Sequence, residues 1–182
     1  MKEENCIILD FLPTGYSNRR HPEPIAQAVG CKYFSLLEIV PKDDVILKPD
    51  QIVYIGEGKR EEVKFIKDSI SYDTLTNAAR SMLEGVLEYI VKQNEVQIIE
   101  FFNKASMITP RMHQMQLIPG IGKKHLVDML NERRKKPFEN FKDLSSRVRM
   151  FPDPEKAIMR RIMDELKGEQ KYYLFVSKAK KR

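Results

Sequence analysis

The sequence predicts an α+β protein, a small N-terminal β-barrel followed by a helical domain. Three observations carry that prediction. Short apolar runs separated by turn residues fill the first part of the chain. From Asp73 onward the apolar residues recur at i, i+3 and i+4. The stretch Leu117-Ile118-Pro119-Gly120-Ile121-Gly122-Lys123-Lys124 has the composition of a tight hairpin between two helices. On these signals the chain divides into a barrel (1–72), a helical connector (73–106), a hairpin-bearing helical domain (107–168) and a C-terminal strand with a basic tail (169–182).

The bulk properties agree with a folded chain of one large or two small domains: 182 residues, 42% hydrophobic and 32% charged. No run of about 18 apolar residues occurs, so no membrane span is expected. The start, Met1-Lys2-Glu3-Glu4, lacks a signal-peptide pattern. Cys6 and Cys31 make neither a zinc cluster nor a disulfide framework, which points to a reducing, cytoplasmic setting. Charge is divided unevenly. Residues 1–100 carry 12 basic and 17 acidic side chains, whereas residues 101–182 carry 20 and 9. An acidic half joined to a basic half points to nucleic acid as the partner of the basic one.

Taken in order, residues 5–12 read as a buried strand, and 14–24 as a polar, proline-rich loop. Ile25-Ala26-Gln27-Ala28-Val29-Gly30 reads as a helical turn ended by glycine. Residues 32–40, 51–56 and 62–70 supply further strands, and short strands with turns between them favour an OB-like or S1-like barrel. A helix capped by Asp73 or Thr74 then runs to Ile90, and a second occupies 95–106. Their apolar faces require burial, so this is a packed connector rather than a flexible linker. Pro110 opens the first helix of the hairpin, and Lys123 to Arg134 form the second, stopped by Lys135-Lys136-Pro137. Phe138, Phe141 and Leu144 lead into another helix beginning near Asp143. A shift of about 33 residues finds a weaker copy, Arg149 to Glu155, with Asp153 as N-cap and Pro154 as first helical residue. Gly168 closes the last helix, residues 171–177 read as a strand, and 178–182 form a basic end, either a phosphate-seeking arm or a solubilising tail.

The chemistry concentrates at the first hairpin. Gly120 and Gly122 allow a sharp turn and close backbone approach, Pro119 presets φ, and Ile121 pins the turn inward. The helix that follows exposes unsatisfied amides and the positive end of its dipole, a phosphate-binding arrangement to which Lys123 and Lys124 add charge. Residues 111–135 thus resemble the helix-hairpin-helix motif, a sequence-independent module of DNA repair and recombination proteins. The resemblance implies two such motifs in a tandem domain. The second copy lacks Gly-x-Gly, and Asp153 and Glu155 put negative charge where phosphate would lie, so it reads as the structural half. Ile7-Ile8-Leu9-Asp10-Phe11-Leu12-Pro13, Arg20-His21, Pro24-Ile25-Ala26-Gln27-Ala28 and Leu36-Leu37-Glu38-Ile39-Val40-Pro41 further resemble an uncharacterised archaeal family. The match spans nearly the whole chain. It implies an OB-like barrel joined to a tandem helix-hairpin-helix domain, and an RNA or DNA partner, without supplying a reaction.

The expectation is a non-enzymatic nucleic-acid-binding protein that grips backbone without reading sequence. Pro119, Gly120, Ile121, Gly122, Lys123 and Lys124 form the grip, Arg133, Arg134, Lys135 and Lys136 supply counterion release, and Arg19 and Arg20 offer a second contact on the barrel, with Tyr16 or Tyr33 for stacking. The basic loop at Arg19-Arg20-His21 reads equally as incidental charge, and His125 as a phosphate contact or a solvated surface residue. His21, His113 and His125 are too scattered for a metal site, and no cofactor is implied. Asp43-Asp44 hints at a metal-dependent nuclease but lacks a third carboxylate, which leaves a solvated turn. A protein-interaction adaptor is the alternative, and a nuclease-like enzyme the weakest reading. DNA against RNA, and the oligomeric state, stay open at this level.

Overall fold

β1 (Asn5–Leu12), β2 (Ile25–Gly30), β3 (Leu36–Pro41), β4 (Ile52–Tyr54) and β5 (Val63–Ser69) form one antiparallel sheet in the order β4-β1-β2-β3-β5. The structure is a computed structural model, and it describes residues 2–16, 22–151, 153–168 and 170–177. The sheet curls into a half-barrel, helped by register shifts at Ile8/Asp10, Glu38/Ile39 and Val40/Pro41. Alternate residues, Cys6 and Ile8, Ala26 and Ala28, Leu37 and Ile39, meet Leu47, Val53, Ile55 and Val63 in one apolar core.

Ile25–Gly30 is thus a central strand and not the helical turn that its glycine and alanines suggest. Every position of β2 and of β3 is buried, so neither shows the polar alternation that marks a half-exposed strand. Gln27 is fully buried and carries a polar network. Its Nε2 donates to the Tyr16 hydroxyl (2.8 Å) and the Thr74 carbonyl (3.1 Å), and its Oε1 accepts from the Thr76 N–H (2.8 Å).

β3 begins at Leu36 rather than near Lys32 because Glu3 organises the preceding turn. Its buried carboxylate accepts the N–H groups of Lys32, Tyr33 and Ser35, and a Cβ at Gly30 would overlap it. A 3-10 turn (Tyr72–Thr74) precedes α1 (Asn77–Gln93). Thr76, not Asp73 or Thr74, holds the helix start, its Oγ1 accepting from the Ala79 N–H at 3.0 Å.

α2 (Glu95–Lys104) is followed by a small hairpin, β6 (Met107–Thr109) and β7 (Met112–His113), and a 3-10 helix, Gln114–Leu117. The helix expected from Pro110 is therefore absent. Pro110 and Arg111 turn the hairpin, and His113 starts a single short turn of helix with a reciprocal cap to Gln116. α3 (Lys123–Lys135), α4 (Phe141–Arg147) and α5 (Pro154–Lys167) complete five α-helices. Asn140 caps α4 through the Asp143 N–H (2.8 Å), and Asp153 caps α5. Residues 171–177 form no strand, since Glu165 takes the N–H groups of Leu174, Phe175 and Val176 that a sheet partner would need.

The chain comprises two units, Met1–Leu87 with Asp164–Arg182, and Glu88–Met163. In the second, Phe102 is fully buried, edge-on to Phe101 and Phe151. Asn103 clamps the backbone of Phe138 by donating to its carbonyl and accepting its N–H, both at 2.8 Å. Arg147 donates to the carbonyls of Glu132, Lys136 and Pro137 and lies 4.7 Å from the Phe138 ring centroid, closing the C-terminus of α3.

Candidate nucleic-acid interface

Ile118, Pro119, Gly120 and Ile121 make a β-turn closed by the Ile121 N–H on the Ile118 carbonyl at 3.1 Å. Proline second and a glycine at φ 88° third is the residue pattern of a type II turn. Ile118 and Ile121, both buried, root it in the core. Gly122 is the N-cap of α3, and its carbonyl accepts the first helical bond, from Leu126 at 3.0 Å. With no side chain there to cap, the amides of Lys123, Lys124 and His125 lie outside the helix's own ladder.

Gly122 has φ −84°, a conformation open to any residue, and a Cβ on it would meet nothing within 4 Å. Neither backbone nor internal packing requires a glycine here. What its absence of side chain does is leave the helix start open to solvent.

A second turn repeats the first. Phe151 N–H reaches the Val148 carbonyl (3.4 Å), and Met150, third in the turn, has φ 53°. Val148–Phe151 follows Ile118–Ile121 by 30 positions rather than about 33, with one residue more before the helix. Here Asp153 Oδ1 accepts the Lys156 N–H at 3.2 Å, so one of the first amides of α5 has a side-chain cap, as none in α3 does. His125 links the two turns. A carbonyl only accepts, so its Nδ1 carries the proton donated to the Gly120 oxygen (2.9 Å), while its ring stands edge-on to Phe151 with centroids 6.3 Å apart.

The cations singled out from the sequence do not form one patch. Lys123 and Lys124 are exposed at the start of α3 and have no ion-pair partner among the described residues. Arg133, about 15 Å further along the helix at 1.5 Å per residue, donates to the carbonyls of Phe102 (3.0 Å) and Ala105 (2.9 Å) and so finishes α2. Arg134 is exposed, Lys135 pairs with Glu132 (2.6 Å), and Lys136 with Glu139 (2.5 Å). Arg19, Arg20 and His21 lie outside the described residues, as do Pro152 and the basic end 178–182. Tyr16 is not free to stack, since its hydroxyl donates to Glu38 and accepts from Gln27. Asp43 pairs with Lys64 at 3.1 Å.

Two features escaped the sequence reading. Gly56-Glu57-Gly58-Lys59-Arg60 folds against Tyr54 and, with Lys42 and Lys64, surrounds a shallow hollow of about 380 Å³. The Gly-x-Gly-Lys-Arg run is a readable signal, masked by its place between two strands. Met150, 89% exposed, was the other. Nothing in the site suggests cysteine chemistry, since burial pushes the Cys31 thiol to about 11 and raises Cys6 further. Among the described residues no group of three or more His, Cys, Asp or Glu is placed to hold a metal, and no helix is long and apolar enough to cross a membrane.

The geometry defines an α+β protein, a curled five-stranded antiparallel sheet with five helices, whose third helix starts without a side-chain cap and has Lys123 and Lys124 as its first two residues. The chain belongs to the DUF655 family, described as a protein of unknown function, whose profile matches residues 2–177. It is 39% identical to the uncharacterized protein MJ0038 of Methanocaldococcus jannaschii over 176 residues, covering 96% of this chain and 80% of that one. It is also similar to the crystal structure of Af1531 from Archaeoglobus fulgidus, with a TM-score of 0.84 and 42% identity, over 96% of this chain and all of that one.

Proposed function

We propose that this protein binds nucleic acid through the phosphate backbone, without sequence readout and without catalysing a reaction, using Gly120 to Lys124 as the grip. The half-barrel is then an OB-like module, and residues 107–168 a tandem helix-hairpin-helix domain with one working and one structural hairpin. One observation carries the reading. The start of α3 is open, uncapped and flanked by two unpaired lysines, whereas the equivalent start of α5 is filled by the carboxylate of Asp153. The repeat of the turn itself, at Ile118–Ile121 and Val148–Phe151, supports the tandem domain.

The test copies the second hairpin into the first. A Cβ at position 122 has room, and aspartate is among the best N-caps. Gly122→Asp should therefore leave thermal stability unchanged or raise it by up to about 1 kcal/mol, while its carboxylate occupies the anion position. Filter binding of duplex DNA, single-stranded DNA and structured RNA across a salt series should show salt-dependent affinity for the wild type and its loss in the variant. Weak, salt-indifferent binding of all three by the wild type would refute the proposal, as would full affinity in a folded Gly122→Asp.

A further inference from the structure

We propose that the second hairpin also meets the ligand, through the side chain of Met150, which acts as an apolar wedge against the groove of a nucleic-acid duplex. The inference rests on the phosphate grip proposed above and deepens it. Four non-glycine residues with positive φ occur among the described residues: Phe34, Asp44, Asp50 and Met150. Aspartate tolerates that conformation because its short side chain bonds nearby backbone. Phe34 is 3% exposed, so burial of its ring offsets the strain. Met150 has neither excuse. Its side chain is unbranched and apolar, and at 89% it is the most exposed large hydrophobic residue among those described.

Glycine would hold this turn more cheaply, as Gly120 does at the same place in the first turn. The chain accepts backbone strain and leaves apolar surface in water, and gains nothing inside the fold for either. A return outside the chain accounts for the strain.

Position then indicates what Met150 meets. His125 binds the Gly120 carbonyl at 2.9 Å and touches Phe151, the residue after Met150, so the two turns sit side by side. A strand held by its phosphates at Gly120–Lys124 presents sugar and base surface beside them, and Met150 is the apolar group next to that grip. Exposed Arg149 flanks it, with charge for the phosphates. A flexible, unbranched thioether suits insertion at a base step, where apolar wedges partly unstack duplexes.

The experiment is fluorescence anisotropy of the full chain with a short labelled DNA duplex and with one of its strands, across salt, for wild type, Met150→Gly and Met150→Leu. A duplex carrying 2-aminopurine reports unstacking, and thermal melts report stability. Met150→Gly should melt at or above wild type, since it relieves the strained φ. It should bind duplex about tenfold more weakly, the scale of one lost apolar contact, with an unchanged salt slope because no charge is removed. The 2-aminopurine signal should rise with wild type and with Met150→Leu but not with Met150→Gly. Wild-type duplex binding that Met150→Gly retains in full overturns the wedge and leaves the phosphate grip standing. Equal losses on duplex and single strand overturn the duplex assignment, and a loss accompanied by a lower melting point marks Met150 as structural. A wild type that binds neither probe overturns the grip itself, a result distinct from each of these.

Discussion

Glu3 and Glu165 perform the same task at different places in the chain. Each places one buried carboxylate where three backbone N–H groups of an irregular segment converge: Lys32, Tyr33 and Ser35 for Glu3, and Leu174, Phe175 and Val176 for Glu165. Such charge-assisted bonds are strong, and they let a segment be buried without a sheet partner. Removing the acceptor strands three donors, so Glu165→Ala should lower unfolding free energy by about 3 kcal/mol in urea titrations. Glu165→Gln, which keeps one acceptor oxygen, should fall between the two. A Glu165→Ala chain as stable as wild type would show that water replaces the carboxylate. In the sequence Glu165 looks like one more charge on a helix surface, and Tyr-Tyr-Leu-Phe-Val looks like a strand. The local pattern at 171–177 describes apolar residues correctly but cannot say that their amides are already engaged.

At the scale of elements, the small hairpin and 3-10 helix before α3 depend on a neutral histidine. His113 is 3% exposed, and its Nδ1 accepts the Met115 N–H at 3.2 Å. Burial pushes its pKa down, the Arg133 guanidinium pushes it further, and a bond to the Ala105 carbonyl pulls it only partly back. In the unfolded chain the ring titrates at about 6.5. The folded state thus binds fewer protons below that value. The stability His113 contributes is fully present above it and is lost as pH falls through the lower folded pKa. Urea midpoints should therefore drop between about pH 7 and pH 5, and the drop should shrink in His113→Asn, which retains a capping oxygen but does not titrate. An identical pH profile in the variant would remove His113 from the account. Hydrophobic period located α1, α2, α3 and α5 well, because each has one apolar face. It failed at β2, where both faces are buried, and at Met107 to Leu117, where three elements occupy eleven residues and none completes a period.

Across the whole molecule, charge and the proposed grip lie in the same part of the sequence. Residues 101–182 hold 20 of the 32 basic side chains, and the hairpin turn falls among them. If two to four phosphates are held, affinity should fall roughly 10- to 100-fold between about 50 and 200 mM salt. Replacing Lys123 and Lys124 together by alanine should reduce the log–log slope by about two. An unaltered slope would transfer the contacts to other cations, with Lys42, Lys59 and Arg60 on the barrel the next to replace. The turn at Ile118–Ile121 and the start of α3 were legible because their proline, glycines and lysines are local. The division of its cations was not, because whether Arg133 faces solvent or the end of α2 is decided by residues some thirty positions away.

The first unit begins the chain and also ends it, since Asp164–Arg182 belongs with Met1–Leu87. Glu165 and the segment it gathers lie in that returning piece, and the Ser177 N–H bonds the Tyr33 carbonyl at 3.0 Å. As the chain leaves the ribosome, the sheet emerges ahead of the second unit and waits, the β2–β3 turn at Tyr33 unfinished, until all of the second unit has been made. A unit begun before the second is completed only after it.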